Sequence, residues 1–207
     1  MSEQRPAVVL HLHRPTADGA TLEERDDDDL MALAAGDHRR AFEVLATRHL
    51  PALTRFCGKF LGSPRAGEEL AQDVLVETWT SRRRYRPEGR FRVLLLTMAR
   101  TRCLNRLRDD RRRLSRAPPL VDEPGPEGAT ADVGQLDDLL KRERERQVRA
   151  ALLELPGKLR EAVLLRFDQG LDYAEIARAV GRSEGTIRSR VFHAIKKLRA
   201  ALGTEEP

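Results

Sequence analysis

Cysteine is nearly absent. The chain of 207 residues has two, Cys57 and Cys103, far apart and outside any CxxC pair. That argues against a disulfide framework or a cysteine-based zinc site, and both residues read as small core side chains. No apolar run approaches the ~18 residues that a membrane span requires. The longest, Val93 to Ala99, is short and bounded by arginines. The run at residues 7–12 is too short for a secretory signal, so a cytoplasmic protein is expected. His11 and His13 form an isolated HxH, too little to define a metal site, and no cofactor is expected. Strand-like alternation and internal repeats are missing too, which leaves an all-α chain.

What is present is charge, sorted into blocks. The whole chain carries 38 Lys and Arg against 33 Asp and Glu, a formal net of +5. Residues 1–29 hold eight acids and three arginines, net −5. Residues 81–116 hold fourteen arginines and three acids, net +11. Residues 117–138 hold six acids and no base, net −6, with four prolines and three glycines. One charge run reads as a solvated face. A swing of this size across one boundary points to a polyanion partner and an acidic connector.

The last quarter of the chain is the most sharply punctuated. A helical pattern from near Leu139 breaks at Pro156. A second pattern stops at Gly170, which suits the left-handed backbone of a helix end. A third opens at Asp172, with Glu175 three residues on as in a capping box, and ends at Gly181. A fourth opens at Ser183, a favourable cap. Ile187, Val191, Ile195 and Leu198 recur at helical spacing, leaving Arg188, Ser189, Arg190, His193, Lys196 and Lys197 on the other face. Two helices, a glycine turn, then a helix basic along its outside form the helix-turn-helix pattern. Its groove-facing candidates are Arg182, Ser183, Glu184, Thr186, Arg188, Ser189 and Arg190. Ser183 has an alternative reading as a cap alone, and Arg190 as a phosphate clamp.

Residues 1–25 read as a disordered lead, and residues 26–115 as a helical module. Asp26 to Asp29 suit a helix start. Asp37 is expected to cap a long helix with an inward stripe from Phe42 to Phe60, kinked at Pro51. Ser63 and Pro64 restart a helix. Its inner side carries Leu70, Val74, Leu75 and Trp79, and Glu68, Glu69, Gln72, Asp73 and Glu77 make an acidic outer face. A loop at Tyr85 to Gly89 leads into a helix from Phe91, with Leu94, Leu95, Met98 and Leu107 inward. Arg92, Arg100, Arg102, Arg106 and Arg108 lie outward, a phosphate-binding surface. Residues 116–138 are the connector, residues 139–202 the second module, and residues 203–207 a tail.

The two modules resemble a bacterial sigma factor of the sigma-70 family, in its extracytoplasmic-function (ECF) group. AGDHRRAFEVLATRHLPALTRFCGKFLG, EELAQDVLVETW and YRPEGRFRVLLLTMARTRCLNRLRDDRRR resemble sigma region 2. The Leu155-Pro156 pair and SEGTIRSRVFHAIKKLR at 183–199 resemble region 4. The resemblance implies that Glu68, Glu69, Gln72, Asp73 and Glu77 contact the clamp helices of core RNA polymerase. It implies minus-ten recognition and melting by Tyr85, Arg86, Phe91, Arg100, Thr101, Asn105, Arg106 and Arg108. Within that set the arginines grip phosphates, and Tyr85 and Phe91 flank a loop able to hold an unstacked base. Ordinary core packing is the competing role for Phe91. The second module then reads the minus-thirty-five element. Core RNA polymerase and promoter DNA are the implied partners, and relatives are commonly held by an anti-sigma factor. This chain has Leu94 where the family usually has Trp, Thr101 for Asn and Asn105 for Asp.

Two other classes compete with this reading. A one-component regulator requires a receiver or ligand pocket in residues 26–115, where no βα alternation is found. A DNA-cleaving enzyme requires a serine nucleophile or paired carboxylates. Asp109 and Asp110 are adjacent on a helix and diverge, so no enzymatic activity is expected. A relaxed connector of 22 residues spans roughly 26 Å. The two promoter elements lie on the order of 70 Å apart, so the free chain is expected to bind duplex DNA weakly.

Overall fold

The computed structural model describes residues 21–114 and 135–203, with side chains for 21–113 and 141–203. The readings of residues 1–20, of most of the connector and of the last four residues lie outside the described residues. No strand occurs among those described. Eight α-helices follow in order: α1 Asp27–Ala35, α2 Arg39–Leu61, α3 Pro64–Thr80, α4 Phe91–Leu114, α5 Gln135–Glu154, α6 Gly157–Val163, α7 Tyr173–Val180 and α8 Glu184–Leu202. A turn of π-helix, Leu164–Asp168, continues α6.

Local chemistry sets most of these ends. Asp26 accepts the Asp29 amide at 2.7 Å and opens α1. Ser63 accepts the Ala66 amide and Pro64 takes the first position of α3, where a missing N–H costs nothing. Gly62, at φ 77°, closes α2. The start of α2 differs from expectation. His38, not Asp37, is the N-cap, its Nδ1 accepting the Ala41 amide at 3.2 Å. Asp37 instead sits at φ 68°, and its carboxylate receives Arg82 and Arg83. Hydrogen bonds from Arg82 and Arg83 hold that carboxyl below its ordinary range. Pro51 lies on the exposed side of α2, which runs through it without a break.

In the first module α2 packs along α3, with α1 against α2 and α4 against both. Leu45, Leu53, Phe56, Phe60, Val74, Phe91, Leu95 and Leu96 are buried between them. Cys57 and Cys103 are both fully buried, and a hydrogen bond that the Cys103 thiol donates to Cys57, reinforced by burial, pushes that thiol's pKa far up. They are packing residues, as expected. The inward face of α4 is rotated from expectation: Leu95, Leu96, Ala99 and Cys103 are buried, whereas Leu94 is 37% exposed. In the second module α6 and α7 pack on α8 around Leu165, Leu171, Ile176, Ile187 and Val191.

The two modules share one continuous apolar cluster. Polar contacts line the seam. Arg160 of α6, 7% exposed, donates to the carbonyls of Phe60 (2.6 Å), Leu152 (2.8 Å), Leu153 and Leu155. Gln169 donates to the Ala52 carbonyl, Arg92 to the Gln169 carbonyl, and Lys59 pairs with Asp168.

Gly67 marks a close approach of α3 to α2. A Cβ there would lie 2.3 Å from the Gly58 backbone nitrogen and 2.5 Å from its Cα. Helix propensity favours Ala over Gly by up to ~1 kcal/mol, but two backbones cannot yield as a side chain does, and overpacking costs about 1–3 kcal/mol. Gly67→Ala is expected to lower stability by about 1–2 kcal/mol, read as a lowered midpoint in thermal or urea unfolding. An unchanged or raised midpoint would contradict this packing.

Candidate nucleic-acid interface and polymerase face

The outer face of α3 is assembled as the residue pattern requires. Glu68, Glu69, Gln72 and Asp73 are exposed, and Glu77 is half-buried against Arg102, 2.7 Å away. Glu69 also meets Arg65 at 3.3 Å. Val76 lies on the same face at 64% exposure. Attention to charge alone missed it. A valine between Asp73 and Glu77 on an outward face was the available signal.

The basic face of α4 is less open. Arg106 pairs with Asp110 and Arg108 donates to Asn105, both in exposed positions. Thr101 is exposed, its hydroxyl returned to the Thr97 carbonyl. Arg86 is exposed in the preceding loop. Phe91, 1% exposed, is a core residue and cannot stack a base. Its ring meets Tyr85 edge-on, with centroids 5.7 Å apart. The Tyr85 hydroxyl donates to Asp28, whose other oxygen accepts the Gly89 amide. Burial and that acidic partner push the Tyr85 hydroxyl well above its ordinary pKa. The pair therefore pins the loop to α1, and only the half-buried Tyr85 ring retains an outward edge.

Arg100 is the main departure from the expected phosphate contacts. Its guanidinium pairs with Glu161 of α6, leaving the arginine side chain 19% and the glutamate side chain 1% exposed. The second oxygen of Glu161, Oε2, is buried without a partner. Burial raises the Glu161 pKa; Arg100, Arg190 and Lys158 oppose it without cancelling it. Arg190 is half-buried, and its charge acts on Glu161.

The helix-turn-helix forms as expected. Asp172 and Glu175 make a reciprocal capping box, at 2.7 and 2.8 Å. Gly181, at φ 67°, turns the chain into α8, where Ser183 accepts the Thr186 amide at 3.3 Å and its hydroxyl meets that of Thr186. Ser183 and Thr186 are therefore cap partners. Arg182, Glu184, Arg188 and Ser189 are exposed across the first turns. Phe192, not among the expected residues, is 64% exposed on α8 beside His193. A large apolar side chain one position past Val191 falls off the buried stripe, and that was its signal.

This arrangement of an acidic helix face, an arginine-lined helix and a helix-turn-helix matches known proteins. Residues 45–113 match the family model of Sigma-70 region 2, and residues 145–198 that of Sigma-70, region 4. The ECF sigma factor SigD of Mycobacterium tuberculosis is 32% identical over 181 residues, covering 85% of this chain and 83% of SigD. The chain belongs to the ECF sigma factors of the sigma-70 family. It is an RNA polymerase sigma factor, which binds core polymerase and directs promoter recognition and transcription initiation. The sigma factor CarQ of Myxococcus xanthus is also 32% identical, over 80% of this chain and 91% of its own. Among solved structures, the sigma factor RpoE of Bartonella quintana bound to the anti-sigma factor NepR aligns with a TM-score of 0.65 at 25% identity, over 80% of this chain and 98% of that one. CnrH in complex with the cytosolic domain of CnrY aligns with a TM-score of 0.63 at 26% identity, over 87% of this chain and 99% of that one. Among the described residues no helix is long and apolar enough to cross a membrane.

The raised pKa of Glu161 carries a sign. A carboxyl that holds its proton more tightly when folded favours the folded state most below its unfolded pKa near 4.5, and that contribution is lost as pH rises through the folded value. In this sigma factor Glu161→Gln, which resembles the protonated form, is expected to match wild type near pH 4.5 and to exceed it in stability at neutral pH. Urea unfolding across that range measures the gap. A gap of the opposite sign at neutral pH would mean that Arg100 outweighs the burial cost.

Proposed function

We propose that residues 26–115 bind core RNA polymerase and open the minus-ten element, that residues 139–202 read the minus-thirty-five element, and that residues 116–138 join them. The α3 face carries this reading. Glu68, Gln72 and Asp73 engage no other described residue in the hydrogen bonds and ion pairs seen, and Val76 gives their charged surround an apolar centre. Such a face fits a basic helix with one apolar contact. Arg86, Arg106, Arg108, Thr101 and Asn105 then meet the melted strand, with Tyr85 beside them and Phe91 supporting the loop from the core. Arg182, Glu184, Arg188 and Ser189 face the upstream duplex, joined by Phe192, whose ring suits a thymine methyl group. The protein acts as a non-enzymatic specificity subunit in the cytoplasm. The solved neighbours are bound to an anti-sigma factor or to a cytosolic domain, and an anti-sigma factor is a fitting third partner here.

We further propose that the packed arrangement is the resting state of the free chain and that core polymerase opens it. Arg100 and Arg92 are held against α6 and the turn after it, so the upper part of α4 is withheld from DNA until the seam parts. Closure acts in one direction: promoter selectivity belongs to the complex.

The test is association with core and run-off transcription. Glu69→Arg and Gln72→Arg are each expected to cut core pull-down and transcript yield at least tenfold while circular dichroism stays unchanged. Full core binding by both variants would contradict the assignment of α3.

A further inference from the structure

Arg188 is not a free side chain waiting for DNA. Its guanidinium carbon lies 4.4 Å from the ring centroid of Tyr173, within the distance of a cation–π contact. On its own helix, one turn back, the Glu184 carboxylate approaches it at 3.5 Å. The side chain is nevertheless 61% exposed. It is held from two sides and open outward.

The ring that holds it is itself fixed. Tyr173 is the first residue of α7, and the reciprocal bonds between Asp172 and Glu175 set the start of that helix. The ring is half-buried against the core of the module. A second guanidinium, that of Arg166, lies 5.1 Å from the same centroid and donates to the Leu171 carbonyl at 3.0 Å. Arg166 is presented by the π-helical turn at Leu164–Asp168. An i→i+5 turn inserts an extra residue into a helix and re-aims the side chains on it. A guanidinium that reads a base edge bidentately must present a planar fork at one angle. Left loose, it loses rotamer freedom when it binds, and that loss weakens the contact with the preferred base.

We infer that Tyr173 is a positioning residue for promoter reading: its ring pre-orients the Arg188 guanidinium toward one base pair of the upstream element. The inference rests on the reading of α8 as the groove-entering helix. Tyr173 acts through Arg188, so its loss changes preference at the base pair that Arg188 reads. A ring that only filled the core would instead, when lost, lower the use of every promoter alike.

The experiment uses holoenzyme reconstituted from the full chain and core polymerase. Run-off transcription is measured on a promoter in which each upstream base pair is replaced in turn. Arg188→Ala is expected to remove the preference at one base pair. Tyr173→Leu is expected to weaken the preference at that same base pair by about two- to fivefold, the range of an exposed cation–π contact. Tyr173→Phe keeps the ring and is expected to keep the preference. Tyr173→Leu added to Arg188→Ala is expected to change the preference no further. A uniform loss across all templates in Tyr173→Leu, with the preference intact, overturns the inference. So does a Tyr173→Phe variant that behaves like Tyr173→Leu, because the hydroxyl and not the ring would then be responsible. If Arg188→Ala leaves every preference unchanged, the reading of α8 fails together with the inference; if Arg188→Ala acts and Tyr173→Leu does not, only the inference fails.

Discussion

One guanidinium ties the two modules together. Arg160 meets the carbonyls of Phe60 in the last turn of α2, of Leu152 and Leu153 in the last turn of α5, and of Leu155 just beyond. The last carbonyls of a helix have no partner within it and carry its negative pole. A planar cation with five donors satisfies several at once, which a lysine ammonium cannot do with the same geometry. Burial and the charge of Arg111 lower the Arg160 pKa, yet arginine stays protonated. A buried carbonyl left unmet costs about 1–3 kcal/mol; the Phe60 carbonyl is the one of the four that lies in the first module, so that bond holds α6 to it, while the other three lock α6 against the end of α5.

The neighbouring position works against the hold. Placing Arg160 at the seam places Glu161 there as well, fully buried, with one oxygen paired to Arg100 and the other unpartnered. A buried ion pair commonly fails to recover its desolvation cost, and the raised pKa of Glu161 says that it fails here. Lys59 and Asp168 add little, since an ion pair with one partner half exposed is worth about 0–1 kcal/mol. The seam is therefore closed by Arg160 and apolar contact and loosened by Glu161. A joint so balanced fits the proposal that core polymerase parts the modules and frees Arg92 and Arg100.

Features written in a few consecutive residues were legible in the sequence. Ser63 with Pro64, Asp172 with Glu175, Ser183, and the glycines at 62, 170 and 181 mark their helix ends through contacts at most six residues long. The acidic face of α3 and the two modules follow from periodicity in the same way. What was not legible depends on partners far along the chain. Asp37 looks like a cap until Arg82 and Arg83 arrive 45 and 46 residues later. Arg100 looks like a phosphate contact until Glu161 takes it from 61 residues away. The inward face of α4 has three consecutive leucines, and periodicity alone does not choose among them; packing against α2 and α3 buries Leu95 and Leu96 and leaves Leu94 out. Arg160 drew no notice, because its partner Phe60 lies 100 residues away.

The distance between the modules in solution tests this account most directly. Cys57 and Cys103 are buried, so dyes placed through Arg39→Cys on α2 and Ala200→Cys on α8 report alone. Single-molecule energy transfer on the free chain should give one narrow, high-transfer population. Addition of core RNA polymerase should shift it to low transfer, on the scale of tens of ångströms that separates two promoter elements. A free chain already broad and extended, or a closed population that core polymerase leaves unmoved, would contradict the claim that the polymerase opens this sigma factor.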